Sequence, residues 1–334
     1  MAIQAEVVRA YLDRHPDLPS RQVARILHAT QPAVFPTFER AYGVVRNIRG
    51  THGRKTRTSR MATHPRDPER AAVAEAWGCL LPAPDPTDWK ECSLPAEVKR
   101  WLVVADLHIP YYSREALILT VDYAKRAGCT GLLIDGDLYD AHHISDYLRD
   151  PRKRRFVGEL DMTNQILDAI GAEWNPRETV WKQGNHDDRH SRYMAARAPE
   201  MAELAAKSVE EYLRVEERGM VVFPSMSAIR VGKLGIIHGH ELPRGISSPV
   251  NPARGAFLRA TSCVLVAHSH QTSQHTMTTF DGLNLTCWSI GCLCDLHPTF
   301  RPINNWNWGF AILDTPSCGS WSVDNKRIVN GEVV

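Results

Sequence analysis

Nowhere in the 334 residues does an apolar run reach the roughly 18 positions a membrane-spanning helix needs. A membrane partner is therefore not expected. The first fifteen residues, MAIQAEVVRAYLDRH, carry charge throughout and hold no apolar core, so no secretory leader is expected and the cytoplasm is the expected location. Eight cysteines stand at positions 79, 92, 129, 263, 287, 292, 294 and 318, and no two have C-x-x-C spacing. That argues against a zinc ribbon or a thioredoxin-like motif. Cys292 and Cys294 stand two apart, which in a strand only puts them on one face. All eight are expected to be reduced and structural, as suits a reducing cytosol. No internal repeat is present. Net charge is nearly absent at +2, but one stretch lacks acids altogether. From Arg46 to Arg66 the chain carries Arg46, Arg49, Arg54, Lys55, Arg57, Arg60 and Arg66, with His52 and His64, before Asp67 appears.

What is present suffices for a sizeable core, since 43% of the residues are hydrophobic. The length reads as two domains, or one large domain with an appendage. Residues 1–50 read as a small helical unit. Val7, Val8, Tyr11 and Leu12 recur at helical spacing, and the segment His15 to Pro19 stops that helix. Ser20 is the expected N-cap of a second helix with Val23, Ile26 and Leu27 on its apolar face. A third is expected from Pro36 with Phe38, Tyr42, Val45 and Ile48 inward and Arg40, Arg46 and Arg49 toward solvent. Three short helices in this order are helix-turn-helix-like. Such a unit either places arginines on nucleic-acid phosphates or docks on protein alone. The basic residues that follow favour nucleic acid, with Arg46, Arg49, Arg54, Lys55, Arg57 and Arg60 as contacts. Residues 51–99 read as a basic linker and a proline-marked connector.

From residue 100 to the end the texture is α/β. Apolar runs at Trp101–Ala105, Gly131–Asp135, Thr179–Gln183, Leu234–Ile237 and Cys263–Ala267 alternate with helical stretches near Arg114–Arg126, Phe156–Ile170, Met194–Leu213 and Pro252–Ala260. From Gln274 onward strands and turns alternate, which predicts a second sheet packed on the first. Each of the five apolar runs ends in Asp, Asn or His. One such tip is most simply a surface or core residue. Five in succession point to a site at the carboxyl ends of the strands, where ligands gather in such folds. Carboxylate, imidazole and amide donors suit Mn, Fe, Zn or Ni. Two metals held close by a shared carboxylate can clamp both oxygens of a displacement at phosphorus.

The series Asp106-Leu107-His108, Gly136-Asp137-Leu138-Tyr139-Asp140, Gly184-Asn185-His186-Asp187, His238-Gly239-His240 and His268-Ser269-His270 resembles the ordered motifs of the calcineurin-like metallophosphoesterases. The resemblance covers roughly residues 100–315. It implies a two-sheet sandwich flanked by helices and two divalent metal ions, Mn foremost, with Fe, Zn or Ni as alternatives. It also implies a role for each residue. Asp106, His108 and His270 hold the first metal, Asp137 bridges, and Asn185, His238 and His268 hold the second. His186 faces the substrate, stabilising the transition state or protonating the leaving oxygen. Asp187 orients His186, and Asp140 does the same for a ligand. Attack by an activated water is implied, so no covalent enzyme intermediate is expected. His240 competes with His238, which sits at the strand end and is preferred. Ala267 stands where the family has glycine, with a modest backbone effect expected.

Around these, Arg189 is a candidate for substrate phosphate, as are His190, Arg192 and Arg244, since a guanidinium fork suits a phosphate. His142 and His143 either line the cleft or are satisfied elsewhere. Trp306-Asn307-Trp308 reads first as sheet packing, with base stacking as the alternative. The arrangement also resembles metallophosphoesterases encoded by phages and prophages, which implies a bacterial or phage-infected cytoplasm. A metal-dependent phosphodiesterase, in the sharper form a nuclease tethered by residues 1–66, is the leading expectation. A phosphomonoesterase on nucleotides or phosphoproteins, and an inactive DNA-binding regulator, are the alternatives.

Overall fold

A computed structural model describes residues 2–15, 18–49, 91–146, 150, 152–153, 155–201, 209–243, 250–317 and 319–334. Arg54, Lys55, Arg57, Arg60, Arg244, Cys79 and Cys318 lie outside the described residues. The chain forms two compact units, Met1–Thr87 and Asp88–Val334.

In the first unit, helices α1 (Ala2–Arg14), α2 (Ser20–Thr30) and α3 (Phe38–Arg49) enclose a small core of Val8, Val23, Ala24, Leu27, Phe35, Ala41 and Val45. Two helix starts differ from the sequence expectation. Ser20 is the first residue of α2 and makes no cap; its Oγ accepts a bond from Arg49 at 3.2 Å instead. The third helix starts two residues after Pro36, because the Thr37 hydroxyl caps it, accepting the Arg40 N–H at 3.3 Å. Arg40 is exposed, whereas Arg46 and Arg49 are half-buried, Arg46 lying 5.7 Å from the Tyr42 ring centroid.

The second unit is a two-sheet sandwich with helices on its outer faces. One sheet holds β2 (Arg100–Val104), β3 (Gly131–Asp135), β4 (Glu178–Lys182), β5 (Met220–Phe223), β11 (Gly309–Asp314), β12 (Ser322–Val329) and β13 (Glu332–Val333), in the order β13-β12-β11-β2-β3-β4-β5. The other holds β1 (Glu91–Cys92), β6 (Ala228–Val231), β7 (Leu234–Ile237), β8 (Cys263–Val266), β9 (Ser273–Thr278) and β10 (Asn284–Ser289), in the order β1-β6-β7-β8-β10-β9. Strands β2 to β5 run parallel, as do β7 and β8. Trp101, Val103 and Leu133 of the first sheet meet Ile229, Leu234, Ile236 and Leu265 of the second in a dry layer. Leu102, Val104, Leu132 and Ile134 face outward into a second core under α4 (Arg114–Arg126) and α5 (Phe156–Glu173). Burial on both faces is why these strands read as unbroken apolar runs rather than alternating ones.

Two expectations are corrected. The second sheet does not begin at Gln274. β6, β7 and β8 already belong to it, while β11 to β13 return to the first sheet. A parallel strand buried on both faces looks alike in either sheet, so the apolar pattern could not assign Leu234–Ile237 or Cys263–Val266. The helix expected over Met194–Leu213 is interrupted. α6 spans Arg189–Arg197, and Pro199, which cannot donate a helical hydrogen bond, opens a separate short turn over Pro199–Met201. The last helix, α7 (Pro252–Ala260), starts with the Asn251 side chain accepting the Arg254 N–H and covers Val264 and Cys287. No described helix is long and apolar enough to cross a membrane.

Candidate metal centre

The turns after β2, β3 and β4 bring Asp106, His108, Asp137, Asp140, Asn185 and His186 to one end of the sandwich. Those after β7 and β8 bring His238, His268 and His270 to the same place. Five of these residues have left-handed backbones: Asp106, His108, Asp137, His268 and His270, with φ of 53°, 46°, 53°, 62° and 56°. Such a conformation costs a side-chain-bearing residue about 1–3 kcal/mol and persists only where the surroundings enforce it. Here they do. Asp106 Oδ2 accepts the His268 N–H from the other sheet at 3.0 Å, and the Asp106 N–H reaches Gly136 O at 3.0 Å. Asp137 Oδ1 accepts the His186 N–H at 2.8 Å. Gly136 and Gly184 let these turns touch, since a Cβ on the first would overlap the His238 ring and on the second the Asp137 backbone and carboxylate.

The imidazole and carboxylate atoms converge into two groups linked by a third, His108, Asp137 and His186. Asp106, His108 and His270 form one, and Asp137, His238 and His268 the other, each able to bring three donor atoms within 4.8 Å of one another. His270 Nε2 lies 3.2 Å from Asp106 Oδ1 and 3.1 Å from His108 Nε2. Asp137 Oδ2 lies 3.2 Å from His238 Nε2 and 3.7 Å from His108 Nε2, so one carboxylate reaches both groups. The outer ring nitrogens are tied down, as metal-ligating imidazoles require. His238 Nδ1 faces Asp135 O at 2.7 Å, and His108 Nδ1 faces Asp140 Oδ1 at 3.2 Å. Asp106 Oδ1, Asn185 Oδ1 and His238 Nε2 are buried without a hydrogen-bond partner. Native structures rarely leave such atoms unsatisfied. Three such ligand atoms among the two groups fit divalent cations of the kind that take mixed oxygen and nitrogen ligands.

The electrostatics follow from burial and proximity. Burial pushes Asp106 and Asp137 upward, but the surrounding imidazoles outweigh it and hold both well below the usual carboxylate range; His270 and His108 do so for Asp106, His238 and His186 for Asp137. Conversely, burial lowers His238 and His270, yet Asp137 and Asp106 lift them to about 10 and about 9. His268 is lowered by burial, then by His238, to about 4.

Of the two neighbouring histidines, His238 lies among the donors, its Nε2 3.2 Å from Asp137 Oδ2. His240 turns away, its Nε2 3.0 Å from Ser225 Oγ, and burial lowers it to about 4. Ala267 has an ordinary backbone conformation and is buried, so the family's glycine is not needed at this turn.

Asp187 departs from its expected role. Its carboxylate makes no bond to His186 and instead accepts the N–H groups of Asp137 (2.8 Å), Leu138 (3.0 Å) and Gly184 (2.7 Å), with Trp181 Nε1 at 3.3 Å. It staples two turns together. Asp140 does the orienting. Its backbone O faces His186 Nδ1 at 2.9 Å and its carboxylate lies 3.1 Å away. Arg189 donates to Asp140 O at 2.6 Å and to His186 Nε2 at 2.9 Å. Burial lowers His186 further than Asp137 raises it, which favours the neutral ring.

Of the weaker candidates, Arg192 reaches Asn185 O at 3.1 Å and lines the cleft. His142 lines a second, smaller cavity, while His143 is satisfied by Lys153 O at 2.9 Å. His190 stacks on Phe156, centroids 5.4 Å apart, away from the donors. The Trp-Asn-Trp stretch divides. Trp308 packs on the core and bonds Cys294 O at 2.8 Å, Asn307 ties Thr272 and Cys292, and Trp306 lies over His270 with centroids 4.1 Å apart.

Some participants had no sequence assignment. Lys182, wholly buried, pairs with Glu241, whose carboxylate accepts the His238 N–H at 3.1 Å and the Gly239 N–H at 2.6 Å. The signal was a lysine inside the apolar run Trp181-Lys182 and an acid just past His-Gly-His. Cys292 and Cys294, assigned only to structure, lie beside His270, with Cys294 Sγ 3.7 Å from its Nδ1. Two cavities adjoin the centre. The larger, about 1020 Å³, is lined by Arg189, Arg192, Arg259 and Arg301 among others. The smaller, about 330 Å³, is lined by Tyr111, Phe300 and Trp306 beside the donors.

No family model and no curated protein sequence matches this chain. Among solved structures it is similar to a Vps29 single mutant from Entamoeba histolytica (14% identity, 70% of this chain and 96% of that one, TM-score 0.37). It is also similar to Chaetomium thermophilum Vps29 (14%, 71% and 95%, TM-score 0.37). A third likeness is to YfcE, a phosphoesterase from E. coli (13%, 64% and 88%, TM-score 0.32).

Proposed function

We propose that this chain is a dinuclear-metal-dependent phosphoesterase that hydrolyses phosphodiester bonds in nucleic acid or nucleotides. The observation that carries the reading is the Asp137 carboxylate, which stands within 3.7 Å of His108 Nε2 on one side and 3.2 Å of His238 Nε2 on the other. Asp106, His108 and His270 would hold one cation, and Asn185, His238 and His268 the other. Bound there, such ions supply Lewis acidity toward a phosphoryl oxygen and lower the pKa of water.

The chain's own groups do the rest. Asp140 fixes the His186 ring through Nδ1 and leaves Nε2 on the cleft side. Arg189 occupies that nitrogen until a phosphate oxygen competes for its guanidinium. His186 Nε2 is then free to manage the proton of the departing oxygen. The N-terminal unit, read as helix-turn-helix-like, and the basic stretch after it would tether the enzyme to nucleic acid.

Hydrolysis of methyl p-nitrophenyl phosphate and p-nitrophenyl phosphate, measured side by side with added Mn, tests the reading. Preference for the diester is expected. Preference for the monoester would replace it with a phosphomonoesterase, and inertness toward every ester with an inactive DNA-binding regulator.

A further inference from the structure

The two cavities beside the metal centre differ in size and chemistry, and His186, His268 and Trp306 line both. The larger one is polar and basic. Arg189, Arg192, Arg259 and Arg301 stand along it, with Asp146 as the acid on its wall among the described residues. Guanidinium groups spaced along a groove suit an extended polyanion. The smaller one lies over the donors themselves, with His108, Asp137, His268 and His270 on its lining, and carries three aromatic rings beside them. Phe300 and Trp306 lie 6.3 Å apart, and Tyr111 stands on the same lining with Lys153 Nζ 4.7 Å from its centroid. Phe300 is 76% exposed although it is a large apolar side chain. A bare aromatic at the mouth of an aromatic cavity offers a face on which a base can stack. The volume of about 330 Å³ falls at the small end of the roughly 300–1,000 Å³ range of small-molecule sites. That space also spans the donors His108, Asp137, His268 and His270, so its aromatic side holds no more than one nucleoside.

We infer that the enzyme removes single nucleotides from the end of a single strand: the terminal nucleoside enters the Tyr111–Phe300–Trp306 cavity, and the rest of the strand follows the arginine-lined groove. The inference rests on the phosphodiesterase reading above and adds to it the substrate and the mode of cleavage. In the reaction, water adds to the phosphorus of the terminal linkage. The ester P–O bond to one flanking sugar breaks, and that sugar oxygen leaves with a proton. No oxidant, reductant or second substrate is needed.

The intact chain with added Mn is tested on linear and on covalently circular single-stranded DNA of one sequence. Mononucleotides from the linear form and an untouched circle are expected. Cutting of the circle, or internal fragments as early products, would overturn the inference, as would hydrolysis of small diesters without any attack on linear DNA. A second measurement compares thymidine 5′-(p-nitrophenyl phosphate) with methyl p-nitrophenyl phosphate. The ratio of kcat/KM for the nucleoside ester over the methyl ester should fall about tenfold in Phe300→Ala, the scale of losing one stacked base. An unchanged ratio would remove the base cavity while leaving the phosphodiesterase reading in place. A wild-type chain inert toward both esters would remove that reading itself, and this inference with it.

Discussion

The Asp187 carboxylate accepts the backbone N–H of Asp137 at 2.8 Å, so the residue after His186 holds the turn whose carboxylate reaches both donor groups. The same side chain takes three further N–H groups, all buried. An amide in its place offers one oxygen where four donors converge. Asp187→Asn should therefore leave at least one buried N–H unpaired and cost about 1–3 kcal/mol. Thermal unfolding would register this as a Tm lower by several degrees. An unchanged Tm would mean the turns are held by something else.

Metal content and turnover should separate at neighbouring positions. Asp137→Asn weakens the carboxylate shared by both donor groups, so metal per chain, read by elemental analysis after gel filtration, should drop along with activity. His186→Ala should keep its metal and lose about 10²–10⁴ in kcat, the scale of a general acid or base. If His186→Ala loses metal as well, His186 is a ligand.

Glu159 provides a pH signature remote from the ligands. Its side chain is buried, accepts the Ala141 N–H at 2.6 Å, and is pushed up to about 8 by burial and then by Asp140. An unfolded glutamate titrates near 4.3. The folded state thus holds the proton more tightly. The stability this contributes is full below the unfolded pKa and is lost as pH rises through about 8. Glu159→Gln keeps an oxygen for Ala141 and cannot ionise. Its Tm should match wild type near pH 5 and exceed it increasingly toward pH 9. Parallel curves would show that Glu159 does not titrate in this window.

Removing residues 1–66 should weaken binding to single- or double-stranded DNA by about tenfold or more at low salt, and each lost phosphate contact should flatten the salt slope by roughly 0.9. Fluorescence anisotropy against salt reads both. Identical curves would leave this segment with a protein-docking role.

The centre was legible because its residue types are rare together at strand ends. Asp106, Asp137, Asn185, His238 and His268 each follow an apolar run, and a tip is visible in one dimension. What the tips touch is not. Asp187 beside His186 suggested a partner for that ring, yet a carboxylate one residue away on a turn faces the backbone, and only the fold shows which N–H groups it meets. The Lys182–Glu241 pair was hidden for the same reason, since its partners are far apart in the chain. Sheet membership failed on a different ground. Leu234–Ile237 and Trp101–Val104 have the same pattern because both are buried on two faces, and the pattern records burial, not neighbours. Pro199 marks in the sequence the point where the helix expected over Met194–Leu213 divides.

The place of β11 has a consequence for biosynthesis. Ala311 and Ile312 pair with Val103 and Leu102, so the strand that leads into Asp106 and His108 is framed on one side by residues made long after it. A ribosome must pass Asp314 before that frame can close. Until then the emerging chain presents its aspartates and histidines without the frame that gathers them. Long-range pairing of this sort also slows folding. The donor groups are therefore complete only once β11 has docked beside β2.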